Sequence, residues 1–330
     1  MSLLRLNFAC GPYDRTQALR DGSIRPEGIE LNYITLQPAE IFWRMLQFRE
    51  FDASEMSLSN YTTLVSSGAA PFIAIPVFPS RVFRHGYIFI NTRSGIRTPK
   101  DLEGKRVGLP LYTQTASIWL RGHLMHQFGV DIDKIRWVQG AVETGGSHGH
   151  PHALPLLQPV AIEQNATGRP LGELLATGEI DAYLGSRKPP SFGTHPDVAR
   201  LLPNAHALER ELFERERIFP IMHLVAIRRA LYEQHPWIAN SLYAAFVEAK
   251  RIARARLRYA GSLAAMLPWL QDEIEEIDQV FPGGDPFPYG VEPNRPTLEA
   301  LVRYMVEQYF IPKAIPIDEL FVPLPGASGN

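Results

Sequence analysis

Three histidines, His148, His150 and His152, fall within the stretch GGSHGHPHALP that runs from Gly145 to Pro155. Imidazole is the commonest protein metal ligand. In an extended chain, alternation puts all three rings on one face, as chelation of a divalent metal ion requires. Glu143 is near enough in sequence to complete such a set. The flanking Gly145, Gly146, Gly149, Pro151 and Pro155 read instead as a loop, where histidines are often only solvated. Three readings stay open: a solvated loop, residues that touch a substrate or move its proton, and a metal site.

Other groups able to do chemistry stand where strands end and helices begin, the positions at which open α/β sheets bind ligands. Tyr13, Asp14 and Arg15 follow the first apolar run, and the planar fork of Arg15 suits a carboxylate. An Asp14–Arg15 surface pair is the plain alternative. Ser57 and Ser59 lead into a helix, as anion donors or as ordinary caps. Arg81, Arg84 and His85 stand just before GYIFIN, a grouping of cations that packing does not readily explain. Thr113, Gln114 and Thr115 open another helix, and Trp119 follows one turn later, as a stacking surface or as core. Arg187 and Lys188 follow DAYLGS and can clamp a carboxylate. His223 sits in the apolar FPIMHLVAI, where a lone histidine is more often a satisfied core residue than a catalyst.

The elements that must position these groups alternate between strand and helix throughout. LLRLNFAC, IELNYITL, DASEMS, FIAIPVFP, GYIFINT, RVGLP, IRWVQG and HLVAIRR read as strands, FIAIPVFP and GYIFINT being buried ones rich in branched and aromatic residues. AEIFWRMLQFREF and SNYTTLVSSG read as helices, the second closing on Gly68. TPKDLEGK makes a short helix, TQTASIWLRGHLMHQFG a longer one stopping at Gly129, and LGELLATGEIDAYLGS a helix leading into a strand. Thr113 and Thr115 are the candidate N-caps of the longer helix. A further helix runs from about Ile238 to Tyr259, and its basic run (Lys250, Arg251, Arg254, Arg256, Arg258) reads as a solvated face. GPYDRTQALRDG reads as a loop, and the C-terminal third is helical around the loop FPGGDPFPYGVEPNRP.

With 330 residues the chain has material for two units, and a net charge of −2 gives no global reason to bind nucleic acid or an anionic membrane. The single cysteine, Cys10, rules out an intramolecular disulfide and a thiolate zinc site. MSLLRLNFACGPYDR lacks the roughly 7–15-residue apolar run of a secretory signal, and no later run approaches the roughly 18 residues of a membrane span. The expected location is the cytoplasm, without a membrane partner. No helix carries a clear self-association seam, so a homo-oligomer stays open.

NTRSGIRTPKDLEGKRVGLP and GEIDAYL (Gly178–Leu184) resemble the type II periplasmic-binding-protein superfamily. That resemblance implies an α/β fold of two lobes with a ligand cleft between them. Lobe one would comprise residues 1–110 plus 222–330, and lobe two, residues 111–221, would be inserted. CGPYDRTQAL, FDASEMSLSNY, FPSRVFRHGYIFIN, YTQTASIWLRG and DPFPYGVEPNRPTLEALVRYMVEQYFIP narrow it further. Together they resemble the 4,5-dihydroxyphthalate decarboxylase family over nearly the whole chain.

The family implies loss of one carboxylate from 4,5-dihydroxyphthalate to give 3,4-dihydroxybenzoate. A hydroxyl para to that carboxylate can push electrons into the ring, which accepts a proton and then expels carbon dioxide. The ring is its own electron sink, so no cofactor is required. A divalent metal ion that favours phenolate is the alternative. Such a reaction needs cations or N–H donors for the spectator carboxylate and a proton donor at the ring. On this reading His85 and His223 are the candidate proton donors. Tyr13, Arg15, Ser57, Ser59, Arg81, Arg84, Thr113, Gln114, Thr115, Trp119 and Arg187 are the candidate substrate-binding residues. The rivals are a solute-binding protein for an aromatic dicarboxylate, without catalysis, and a regulatory ligand-binding module. The latter is disfavoured because no helix-turn-helix accompanies the two lobes.

Overall fold

Buried apolar runs form the longest strands of this computed structural model, which describes residues 3–143 and 155–324. Among these residues the strands are β1 (Leu4–Cys10), β2 (Ile29–Thr35), β3 (Ala53–Ser57), β4 (Phe72–Arg81), β5 (Ile88–Asn91), β6 (Arg106–Leu109), β7 (Arg136–Gln139), β8 (Ile162–Gln164), β9 (Ala182–Leu184), β10 (Val198–Arg200) and β11 (Ile221–Arg228). They form two mixed sheets, ordered β2-β1-β3-β11-β4 and β10-β5-β9-β6-β7-β8.

The chain divides into two units: Met1–Arg81, Ile221–Leu298 and Ile315–Asn330 form the first, and Val82–Pro220 with Glu299–Ala314 the second. The first division therefore falls at Arg81, not near residue 110. β5 and β6 look like continuations of the earlier buried strands, but both pair with β9, and that pairing assigns them to the second sheet. The segment Glu299–Ala314 also returns to the second unit. Tyr304 covers Gly122, where an added Cβ would lie 2.1 Å from the tyrosine ring. Arg121 Nε donates to Gln308 Oε1 at 2.8 Å, and Gln308 Nε2 donates to the Ile118 carbonyl at 3.0 Å.

In the first unit β1 runs parallel to both β2 and β3, whereas β11 is antiparallel to β3 and β4. Alternation along β1 places Leu6, Phe8 and Cys10 in one core with Ile75, Val77, Val225 and Ile227. The helix Trp237–Arg258 closes that core with Ile238, Leu242, Ala245, Phe246 and Ala249, the spacing of one helical stripe. Its basic run is not simply solvated. Lys250 is buried and donates to Asp285 Oδ2 at 2.6 Å, Arg254 donates to the Gly283 carbonyl at 2.8 Å, and Arg258 pairs with Asp278. The edge strand β4 carries Pro76 and Pro79, which cannot donate to a ladder, and its pairing with β11 is irregular on both sides of His223. GPYDRTQALRDG is likewise not all loop: Asp14–Thr16 and Gln17–Arg20 form consecutive helical turns.

In the second unit β6, β7 and β8 are parallel, as are β6 and β9, while β5 and β10 are antiparallel to their neighbours. The helix Thr115–Phe128 is buried along all of its first ten residues, and it stops at Gly129 in the left-handed conformation. Gln114, not Thr113 or Thr115, occupies its N-cap position, and Thr115 is the first helical residue. No helix among the described residues is long and apolar enough to cross a membrane.

Candidate functional site

The strand directions bring polar groups to one edge of each sheet. In the first sheet β1, β3 and β4 end where β11 begins, so Gly11–Tyr13, Glu55–Ser57, Ser80 and His223 gather there. His223 is paired with Ser57 across β11 and β3, and Val225 with Glu55. Glu55 and His223 are therefore diagonal neighbours on one face of the sheet.

Glu55 is wholly buried. An unpaired charge there would cost several kcal/mol, and losing one partner of such a pair costs about 3–5 kcal/mol. Its oxygens are instead filled. Oε1 meets Tyr13 Oη at 2.5 Å and His223 Nδ1 at 2.6 Å. Oε2 accepts from the Gly11 amide at 2.9 Å and lies 3.6 Å from Cys10 Sγ. Burial alone would raise this carboxyl. The His223 charge and the hydrogen bonds from His223, Tyr13 and Gly11 outweigh it and hold Glu55 below the usual carboxylate range. Burial and the neighbouring Glu55 push the Tyr13 phenol upward, so it keeps its proton and donates. Burial, then Glu55, raise the Cys10 thiol as well.

Space is tight at Gly11, since an added Cβ would lie 2.8 Å from the Tyr13 ring and 3.3 Å from Glu55 Oε2. The His223 side chain is 18% exposed, and Phe42 packs edge-on against its ring at 4.8 Å. No hydrogen bond to His223 Nε2 is found among the described residues.

At the corresponding edge of the second sheet, β6 and β9 end and β5 begins. Arg84, Thr113–Thr115 and Ser186 lie there. Arg84 is buried, donates to the Ser186 carbonyl at 3.3 Å and faces the Tyr87 ring at 5.0 Å. Burial pushes it down to about 10, so it remains a cation at neutral pH. Among the described residues no carboxylate forms an ion pair with it, although the Glu209 charge favours its cationic form, and its Nε is buried without a hydrogen bond. Gln114 Nε2 donates to Ser186 Oγ at 3.1 Å, while Gln114 Oε1 and Tyr183 Oη are buried without partners. This cluster offers a positive pole and polar groups with spare capacity.

The remaining candidates have protein partners of their own. Arg15 forms the plain pair with Asp14 at 3.0 Å, donates to the Pro79 carbonyl and lies over the rings of Tyr13 and Phe287. Ser57 caps the helix Leu58–Ser66 through the Asn60 amide at 3.4 Å and lies 3.2 Å from Ser59 Oγ. Arg81 belongs to the first unit, not to the unit of Arg84 and His85. It donates to Asn294 Oδ1 at 2.6 Å and is pushed by burial down to about 9. His85 is buried in the second unit with Nε2 2.6 Å from Gln127 Oε1, and its ring stacks on His123 at 4.5 Å. Trp119 is core, fully buried and edge-on to Tyr304. Arg187 makes an exposed pair with Glu143 at 3.2 Å, and Lys188 is exposed.

His148, His150 and His152 lie outside the described residues. Among the described residues no group of three or more His, Cys, Asp or Glu side chains could hold a metal ion.

Sequence reading missed Glu55, Gly11, Tyr183 and Ser186. For Glu55 the signal was available: an acidic residue inside the buried run FDASEMS must find partners or lose its charge.

Residues 83–145 match the family described as NMT1/THI5 like. A protein of Comamonas testosteroni named 4,5-dihydroxyphthalate decarboxylase is 37% identical over 295 residues, covering 89% of each chain. One of Pseudomonas putida with the same name is 38% identical over 202 residues, covering 61% of this chain and 78% of its own. Among solved structures, the periplasmic aliphatic sulphonate-binding protein of Escherichia coli aligns with a TM-score of 0.58. It shares 14% identity, with 100% of this chain and 95% of that one covered. This last likeness is one of fold.

Proposed function

This chain belongs to the 4,5-dihydroxyphthalate decarboxylase family, and we propose on that premise that it converts 4,5-dihydroxyphthalate to 3,4-dihydroxybenzoate and carbon dioxide. The observation that carries this reading is identity of 37% sustained over 89% of both chains. Fold alone would not select it, since the same architecture serves a sulphonate-binding protein.

The proton balance is simple. Electrons pushed from the para oxygen let the carboxylate-bearing carbon take one proton. The carbon–carbon bond then breaks, its electron pair restores the aromatic ring, and carbon dioxide leaves. Solvent returns the proton to the donor. We assign the donor role to His223, because Glu55 occupies its Nδ1 and leaves Nε2 for a substrate. His85 suits the role less, because Gln127 takes its Nε2 and the ring is buried. In the second unit Arg84, a buried cation with no carboxylate ion pair among the described residues, is proposed with Gln114 as the group that receives an anion. Ser57 and Ser59, beside His223 in the first unit, are proposed as polar contacts. The proposed enzyme needs no cofactor and works in the cytoplasm on a small aromatic dicarboxylate.

The test is to incubate protein stripped with EDTA with 4,5-dihydroxyphthalate and follow 3,4-dihydroxybenzoate by chromatography. Product without added metal is expected. Activity that returns only with a divalent ion would overturn the cofactor-free reading and direct attention to His148, His150 and His152. Ligand bound but recovered intact under both conditions would favour a solute-binding protein.

A further inference from the structure

We propose that Glu55 is a positioning residue for proton delivery: it fixes His223 in the Nδ1–H form and leaves Nε2 as the single working nitrogen. The inference rests on the decarboxylase reading for its chemistry and on the geometry around Glu55 for its substance.

The argument starts from β3. Period-two alternation puts Glu55 and Ser57 on one face, and the register with β11 sets His223 diagonally across from Glu55. The carboxylate cannot swing away, because contacts hold both oxygens. The Gly11 amide and the Cys10 thiol approach Oε2, and Tyr13 Oη donates to Oε1. An ionised carboxylate only accepts hydrogen bonds. With Oε1 2.6 Å from Nδ1, the proton of that contact must therefore sit on the imidazole. Two acceptors could not face each other so closely.

The neutral ring is thereby committed to Nδ1–H, with a lone pair on Nε2. In the charged ring both nitrogens carry protons, and Nε2–H is the one that can be given away. Phe42 at 4.8 Å steadies the ring from the side. The buried negative charge also compensates the imidazolium before its proton leaves. A carboxylate acting on the far nitrogen of a histidine is a recurrent catalytic device, and removing its charge has large effects on kcat when tautomer is at stake.

Two measurements test this. In 15N-histidine NMR of the wild-type protein, neutral His223 should show a protonated Nδ1 and an unprotonated Nε2. In steady-state kinetics with 4,5-dihydroxyphthalate, Glu55→Gln should lose on the order of 10²–10⁴-fold in kcat. KM should stay within about threefold, because positioning of the acid acts on the chemical step. Tyr13→Phe keeps the carboxylate and its charge, so it should lose only about three- to tenfold in kcat, the scale of one hydrogen bond. It serves where Glu55→Gln fails to fold.

A wild-type His223 protonated on Nε2 when neutral would overturn the proposal. So would wild-type kcat in Glu55→Gln, or a loss confined to KM. If the wild-type protein does not turn over 4,5-dihydroxyphthalate, the decarboxylase reading fails, and the NMR result alone decides whether Glu55 fixes His223.

Discussion

At the strand ends of the first sheet a buried carboxylate is met by a phenol, an imidazole, an amide and a thiol. At those of the second sheet a buried guanidinium meets a carbonyl and the face of a ring, and no carboxylate forms an ion pair with it among the described residues. Both groups are charged and out of water, so the difference is one of satisfaction. Buried polar groups are almost always paired, and one left with spare capacity calls for an explanation. The filled carboxylate is a fixed device whose output is the orientation of His223. On the proposed reading the underfilled guanidinium receives an anion, the partner that would complete it.

That contrast can be broken by substitution. His223→Asn keeps a hydrogen-bonding side chain but cannot carry the proton, so kcat should fall about 10²–10⁴-fold with substrate binding retained. Normal turnover would move the donor role elsewhere. Arg84→Ala should act in the other direction, raising KM by about 10- to 100-fold with kcat within severalfold, the cost of one charge-assisted contact. Unchanged kinetics would remove Arg84 from the site. Gly11→Ala is expected to be milder, because the tyrosine ring can shift to admit the 2.8 Å intruder, loosening one of the Glu55 contacts. A fall of about threefold to tenfold in kcat, with KM unchanged, would fit that loss of one hydrogen bond. A loss in KM alone would not.

The smallest effect concerns acid stability. Glu55 has a lower pKa when folded than the unfolded value near ~4.3. Its contribution is therefore fully present above that pH and is lost as pH falls through the folded value. Denaturant titrations at a series of pH values should show stability declining from about pH 4 downward. In a folded Glu55→Gln protein that part of the decline should be missing. An identical decline in both proteins would show that Glu55 titrates alike folded and unfolded.

Much of the scaffold was legible from local pattern: β1 alternates from Leu4 to Phe8, β4 and β11 are largely apolar runs, and the helix that stops at Gly129 shows its buried stripe and its glycine stop. β8 and β10 are three residues each, with polar members, and offer no such run. The division at Arg81 was hidden for a related reason. β5 and β6 carry the same buried pattern as the strands of the first unit, and only their partner β9 distinguishes them.

The site shows the same limit in side chains. His223 and Tyr13 were noticed because their types invite chemistry. Glu55 was passed over because its partner His223 lies 168 positions away, a contact that only strand register creates. His85 looked as promising as His223 until Gln127, 42 positions on, took its Nε2. Residue type nominated both histidines, and the hydrogen-bonding environment separates them.

The most direct test of the account is to run the reaction in D2O with metal-free protein and read the products by NMR. The account predicts 3,4-dihydroxybenzoate with one deuterium, at the ring carbon that lost its carboxylate, and one carbon dioxide per deuterium gained. Recovery of 4,5-dihydroxyphthalate with both carboxylates intact would contradict it.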